Sequence, residues 1–137
     1  MNKYYYIGCF VDREELARHV KSVSTGHLFR KIKNPHVTFA FEPDEVNEKL
    51  FGEKIKVEAV GYGNNGVNEG LRVNLYCDNR SIAGMAEEIK VPHITISVDK
   101  GGKAYDTRYL NFYDIEPFIL EGVFGGYMQN GTVVCSN

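Results

Sequence analysis

Two stretches of this chain repeat one pattern. Asn34-Pro35-His36-Val37-Thr38-Phe39-Ala40-Phe41 and Val91-Pro92-His93-Ile94-Thr95-Ile96-Ser97-Val98 each run proline, histidine, apolar residue, threonine. The chain has 4 Pro and 4 His, and two of each fall here. These residue types suit acid–base chemistry at an anion. An unperturbed imidazole titrates near pH ~6.5, so at neutral pH one ring can hold a proton while the other accepts one. A threonine hydroxyl can donate to an oxygen on which negative charge builds. With one ring as base toward a nucleophile and the other as acid toward a leaving oxygen, each worth about 10²–10⁴-fold in rate, the set suits cleavage of a phosphodiester without a metal. Run backwards, the same parts suit ligation.

Both stretches read as strands, in which side chains alternate between faces. His36, Thr38 and Ala40 then share one face, opposite Val37, Phe39 and Phe41. His93, Thr95 and Ser97 share another, opposite Ile94, Ile96 and Val98. Each strand has an apolar side for a core and a side that presents an imidazole and a hydroxyl about 7 Å apart. A proline suits the first residue of such a strand because it cannot donate to the ladder.

Two His-x-Thr-x stretches on separate strands resemble the signature of the 2H phosphoesterase superfamily. That family includes RNA 2′,5′-ligase-like proteins, cyclic phosphodiesterases and small phage enzymes that destroy cyclic oligonucleotide signals. The residue match is "HVTF" and "HITI", and the flanking order of elements suits the family over most of the chain. The resemblance implies an α+β domain of two β-rich lobes, mostly antiparallel and related by a pseudo-twofold, with flanking helices and a central cleft. It implies His36 and His93 as acid and base, and Thr38 and Thr95 as phosphate-binding groups. It also implies that an aromatic of the opening strand sits against a base; Tyr5 is the first candidate, with Tyr4 and Tyr6 as alternatives. The expected substrate is a 2′,3′-cyclic phosphate end, a 2′–5′ linkage or a cyclic oligonucleotide, with no cofactor or metal. The rival readings are a non-catalytic nucleotide- or RNA-binding module on the same fold, and an RNA 2′,5′-ligase.

The elements that must position these groups follow from pattern. "YYYIGCFV" is a strand. Asp12 with Glu15 opens a helix to Val23, and "EPDEVNEKLFG" reads as a short helix from Pro43 to Gly52. "EKIKVEAVGYG" and "LRVNLYC" form a hairpin around a Gly63–Gly70 loop, and Ile82, Met85, Ala86 and Ile89 mark a second amphipathic helix. "DKGGKAYDTRYLNF" has no period and reads as a loop. "FILEGVFGGYM" and "TVVC" pair across Asn130-Gly131. So many hairpins argue against a doubly wound parallel sheet.

The 137 residues predict a single domain with a real core, and the net charge of -2 argues against a coat for duplex DNA. No apolar run approaches the ~20 residues that span a bilayer. No signal-peptide pattern is present, which with three cysteines at no CxxC spacing predicts a cytoplasmic protein with reduced, structural thiols. A zinc site from His36, His93 and a cysteine lacks ligand spacing. His19 and His27 read as solvated surface groups, and "RKIK" as an ordinary basic loop. "GYGNNG" has no following helix and so is not a phosphate-cradling loop. Arg72, Asn74 and Tyr127 are further candidates for the cleft lining.

Overall fold

The computed structural model describes residues 3–136. Strand β1 (Tyr4–Val11) opens the chain. Asp12 then turns the backbone and caps helix α1 (Arg13–Val20), its carboxylate accepting from the N–H groups of Glu14 and Glu15 at 2.7 and 3.1 Å. Leu16 and Val20 form the buried side of α1. The helix ends earlier than its sequence pattern predicts. The N–H groups of Val23 and Ser24 bond back to the Val20 carbonyl and close it in a turn. Beyond it come β2 (Arg30–Lys31), β3 (His36–Phe41), β4 (Lys54–Asn64), β5 (Asn68–Tyr76), helix α2 (Arg80–Glu87), β6 (His93–Val98), β7 (Tyr113–Met128) and β8 (Val133–Val134).

The eight strands form one sheet in the order β2-β6-β5-β4-β7-β1-β3, with β8 paired to β7. Every described pairing is antiparallel. The fold is a single α+β domain with few helices. Its core face carries Cys9, Val37, Val57, Ala59, Leu71, Val73, Ile94, Leu120 and Phe124, all essentially inaccessible. Each large apolar side chain so buried contributes about 1.5–3 kcal/mol. Burial pushes the Cys9 thiol up to about 12. Cys9, Cys77 and Cys135 are all free thiols. Among the described residues no helix is long and apolar enough to cross a membrane.

Further expectations change. The basic stretch read as a loop carries strand β2, and β7 starts at Tyr113, five residues before the expected Phe118. The loop of the β4–β5 hairpin shrinks from Gly63–Gly70 to residues 65–67, because the ladder continues through Gly63–Gly70 and Asn64–Glu69 pairs. The Pro43–Gly52 helix reduces to one 3-10 turn at Glu48–Leu50, capped by Asn47 and ended by Gly52 at φ 99°. The expected loop after β6 instead contains a 3-10 helix, Ala104–Tyr109.

The 3-10 helix after β6 lies close on the sheet because the floor below it has few side chains. A Cβ on Gly70 would meet the Thr107 methyl at 2.3 Å, and one on Gly63 would meet Leu110 at 3.1 Å. Thr107 and Leu110 are the buried residues that fill this space.

The motif strands β3 and β6 lie near opposite ends of the sheet order, yet their Cα atoms come within 8 Å of each other. The chain itself enforces this. β2 pairs with β6, the Ile32 N–H continues that ladder to the Ile96 carbonyl at 3.0 Å, and β3 begins at His36. The few residues between reach no more than roughly 14 Å at full extension, so the sheet must curl.

Both motif strands have the same register. His36, Val37 and Thr38 pair with Phe10, Cys9 and Gly8, and after a shift at Phe39, Ala40 and Phe41 pair with Ile7 and Tyr6. His93, Ile94 and Thr95 pair with Arg72, Leu71 and Gly70, and after a shift at Ile96, Ser97 and Val98 pair with Glu69 and Asn68. A glycine faces each threonine and a bulge follows it. The bulges break the simple alternation of faces. Ala40 packs on the core, Phe41 turns outward at 55% exposure, and Ser97 turns to meet the buried Glu69 at 2.7 Å.

A Cβ on Gly8 would sit 2.1 Å from the Val37 carbonyl oxygen, whereas one on Gly84 in α2 meets nothing within 4 Å. Gly8→Ala is therefore expected to destabilise by about 1–3 kcal/mol or more through overpacking. Gly84→Ala should stabilise by about 0.5–1 kcal/mol through helix propensity. Urea denaturation of the two variants checks the contrast in sign.

Candidate active site

Each histidine is oriented by the backbone that precedes it. His36 Nδ1 lies 2.8 Å from the carbonyl oxygen of Asn34, and His93 Nδ1 lies 2.8 Å from that of Val91. A carbonyl only accepts, so in both rings Nδ1 carries the hydrogen and Nε2 holds the lone pair of the neutral form. The intervening prolines account for the repeat of this bond. Proline holds the residue before it extended, which fixes the carbonyl two positions before each ring. Each proline also continues the ladder through its own carbonyl: Val11 N–H donates to Pro35 at 3.2 Å and Val73 N–H to Pro92 at 3.0 Å. Among the described residues neither Nε2 makes a hydrogen bond.

The surroundings of the two rings differ. His36 stacks on Tyr6 at 4.3 Å between centroids, with Phe10 at 5.7 Å, and the Tyr6 hydroxyl oxygen is 3.2 Å from Nδ1 as a second acceptor. Tyr6 is in turn stacked on Tyr127 at 5.1 Å. This aromatic box desolvates the imidazole and, with His93 nearby, pulls its pKa down to about 4 despite the Asn34 carbonyl. Burial also raises the Tyr6 hydroxyl, with help from Tyr127, so Tyr6 stays protonated. His93 is lowered as well, by burial first and also by the Arg108 guanidinium, against the opposing pull of the Val91 carbonyl. Its partner across the ladder is the exposed Arg72, where His36 has the aromatic Phe10.

The threonines differ too. Thr38 is half-buried, and among the described residues its hydroxyl makes no hydrogen bond. Thr95 is 8% exposed and donates to the Ala104 carbonyl at 2.9 Å, with the Thr107 hydroxyl at 2.7 Å. Asn68 completes the cluster, donating to the Lys103 carbonyl at 2.8 Å and to Thr107 at 3.1 Å. The Thr95 donor thus pins the 3-10 helix instead of facing solvent. The expected pair of equivalent phosphate donors is here one uncommitted hydroxyl and one structural hydroxyl.

Of the three opening tyrosines, Tyr4 is buried and donates to Glu48 at 2.5 Å, and Tyr6 is the one against His36. Tyr5 falls where the β1–β7 register shifts, is 39% exposed and meets Phe41 at 4.5 Å. Arg72 pairs with His93 across the ladder, and Tyr127 stacks on Tyr6, one ring removed from His36. Asn74 instead points its amide at Glu58, 3.4 Å away. An open hollow of about 730 Å³, lined by Ile7, Leu50, Met85 and Phe124 among others, lies away from the histidines.

Two groups escaped sequence reasoning. Arg108 lay in the segment read as loop; the signal that could have located it is the trio Gly61, Gly63 and Gly70 inside strands, since strand glycines mark a close approach. The second is Glu69, fully buried and accepting from Ser24, Tyr62 and Ser97 hydroxyls and from His27 Nδ1 at 2.9 Å. Burial raises its carboxyl, but these four hydrogen bonds outweigh burial and leave it below the usual range. His27 is therefore tied to the fold and not a freely solvated group. His19 likewise stacks on Phe118 at 4.7 Å.

A depressed imidazole makes stability depend on pH. The unfolded chain takes up a proton below 6.5 that folded His36 refuses until about 4. Stability is thus full above 6.5 and is lost as pH falls through that window. In His36→Gln the drop in unfolding free energy between about pH 7.5 and about pH 4.5 should be smaller than in the parent; an equal drop in both would show that the ring is not desolvated. In comparison with known proteins, no family model matches this chain and no curated protein is significantly similar to it.

Proposed function

We propose that the protein is a phosphodiesterase of the paired-histidine kind, acting without a metal on a nucleotide or RNA phosphodiester in a cytoplasmic setting. The observation that carries this reading is the matched mounting of the two imidazoles. Each is locked by the same Nδ1-to-carbonyl bond, each leaves Nε2 uncommitted, and they stand on strands whose Cα atoms approach within 8 Å. The reading makes the chain a compact 2H phosphoesterase. Its two lobes would be the strand sets β3-β1-β7 and β6-β5-β4, with the substrate in a cleft between the motifs. The shared register and the mirrored sheet order support that division.

The electrostatics assign roles. His36 is the harder ring to protonate, and a proton on His93 makes it harder still. The working form is therefore neutral His36 with charged His93. His36 Nε2 takes the proton from the attacking hydroxyl, of water or of a ribose, as its oxygen bonds to phosphorus. The bond from phosphorus to the leaving oxygen breaks, and His93 Nε2 gives that oxygen its proton. His36 ends charged and His93 neutral, and solvent exchange restores the pair. The Thr38 hydroxyl and the Arg72 and Arg108 guanidiniums are the donors for the non-bridging oxygens. Thr95 acts by holding the 3-10 helix in place.

A second reading, a module that binds the same ligands without turning them over, is favoured by the Thr95 hydroxyl, whose donor is committed to Ala104. Incubation with 2′,3′-cyclic nucleotides, 2′–5′ oligomers and cyclic dinucleotides in EDTA separates the two. Turnover should persist in EDTA and fall by about 10²–10⁴-fold in His36→Ala and in His93→Ala; ligand binding without turnover in the parent would establish the module instead. The pH profile gives a further check. The charged–neutral pair is populated in the free protein between about 4 for His36 and a His93 value below 6.5. So kcat/KM should peak on the acid side of 6.5 and fall on both sides. A bound phosphate anion favours charged His93, so the alkaline limb of kcat should lie at higher pH than that of kcat/KM. A kcat/KM that climbs steadily through alkaline pH would rule out the pair.

A further inference from the structure

We propose that the 3-10 helix Ala104–Tyr109 is a second nucleobase platform, so that the preferred substrate has a base on each side of the scissile phosphate. This rests on the phosphodiesterase reading and narrows it, because a mononucleoside cyclic phosphate could occupy only one such platform.

The helix shows a clear division between inner and outer residues. Thr107 and Leu110 are buried and, with the Thr95 and Asn68 hydrogen bonds, hold the segment rigidly on the sheet. Tyr105 and Tyr109 are 50% and 70% exposed. Between them stands Arg108, its guanidinium carbon 5.1 and 4.8 Å from the two ring centres and its Nη2 2.8 Å from the Tyr109 hydroxyl oxygen. Lys103 adds a second cation 5.9 Å from the Tyr105 ring. Flat rings that carry a guanidinium and an ammonium recognise a base with its phosphate.

The location fits as well. Thr95 and His93 are alternate residues on the same strand face, and the helix is bonded to Thr95, so the platform flanks the His93 side of the pair. On the His36 side a separate aromatic row already exists. Tyr6 stacks on the ring and Tyr127 on Tyr6, and Phe41 and Tyr5 extend the row to solvent at 55% and 39% exposure. Two exposed aromatic patches therefore flank one acid–base pair. A protein partner would find the same rings, but alternating cations and rings beside a phosphate site favour a nucleotide.

The test compares a two-base probe with a one-base probe. The first is 2′-O-methyl adenylyl-adenosine with a methylene in place of the bridging 5′ oxygen, which leaves neither internal attack nor hydrolysis a leaving oxygen; the second is 2′-O-methyladenosine 3′-phosphate, which has no diester to cleave. Binding is read by calorimetry on the parent, on the double variant Tyr105→Ala/Tyr109→Ala, and on Tyr76→Ala as an exposed tyrosine outside the platform. The parent and Tyr76→Ala should bind the two-base probe at least about fivefold more tightly than the one-base probe, the lower end of one stacking contact. The double variant should lose most of that preference. Equal affinities in the parent, or a preference that survives in the double variant, overturns the platform. The two proposals can fail separately. The expected binding pattern without turnover keeps the platform and removes the catalytic reading. Turnover that depends on both histidines, without the binding preference, does the reverse.

Discussion

A few residues between β2 and β3 set the geometry of this molecule. One end of that connection is hydrogen-bonded to β6 through Ile32, and the other becomes the first histidine. A sheet of this many antiparallel strands would ordinarily fan out with its twist, carrying the two motif strands far apart. Here the short tether draws its ends together, so two strands separated by four others in the sheet order come within 8 Å of each other. The curl of the sheet and the approach of the two motif strands follow from that closure. Gly8 lets β3 press against β1 at the curl, with the Val37 carbonyl where a side chain would have been.

Within that frame the repeated motif is mounted twice in the same way and then used differently. Proline, carbonyl and imidazole form one unit in each copy, and the strand opposite supplies a glycine to each threonine. The neighbours of the two copies diverge. Tyr6 and Phe10 lie against His36, whereas Arg108 puts positive charge beside His93 and Arg72 pairs with it across the ladder. One chemical unit thus sits in two unlike surroundings, one aromatic and one cationic, and both lower the imidazole's proton affinity. The divergence extends to the hydroxyls: Thr38 remains uncommitted and Thr95 has become part of the scaffold.

Much of this was legible in the sequence because strands with one buried face write their pattern plainly. β3 and β6 begin and end where the alternation of apolar residues says they should, and β1 where its aromatic and β-branched run does. The residues expected to do chemistry lie on two of them. What the sequence concealed has a common cause in tertiary contact. The bulges at Phe39 and Ile96 come from pairing with the neighbouring strand, and they alone turn Phe41 outward and Ser97 inward. The 3-10 helix has no period of its own and is held by Thr95, Asn68 and a floor of glycines, so nothing within 99–112 announces it. The buried Glu69 looked like an ordinary hairpin residue because three of its four donors, Ser24, His27 and Ser97, come from distant segments.

The seam between β1 and β7 has a consequence for thiol chemistry. Cys9 is inaccessible, its sulfur lies 2.2 Å from where a side chain on Gly122 would begin, and burial keeps it in the thiol form. An alkylating reagent reaches this sulfur only when the two strands part, while Cys77 and Cys135 are partly open to solvent. Under oxidative stress any cross-linking between copies would therefore run through the two rim thiols. Modification of Cys9 would report that the seam had opened, so the chain carries its own internal clock of unfolding.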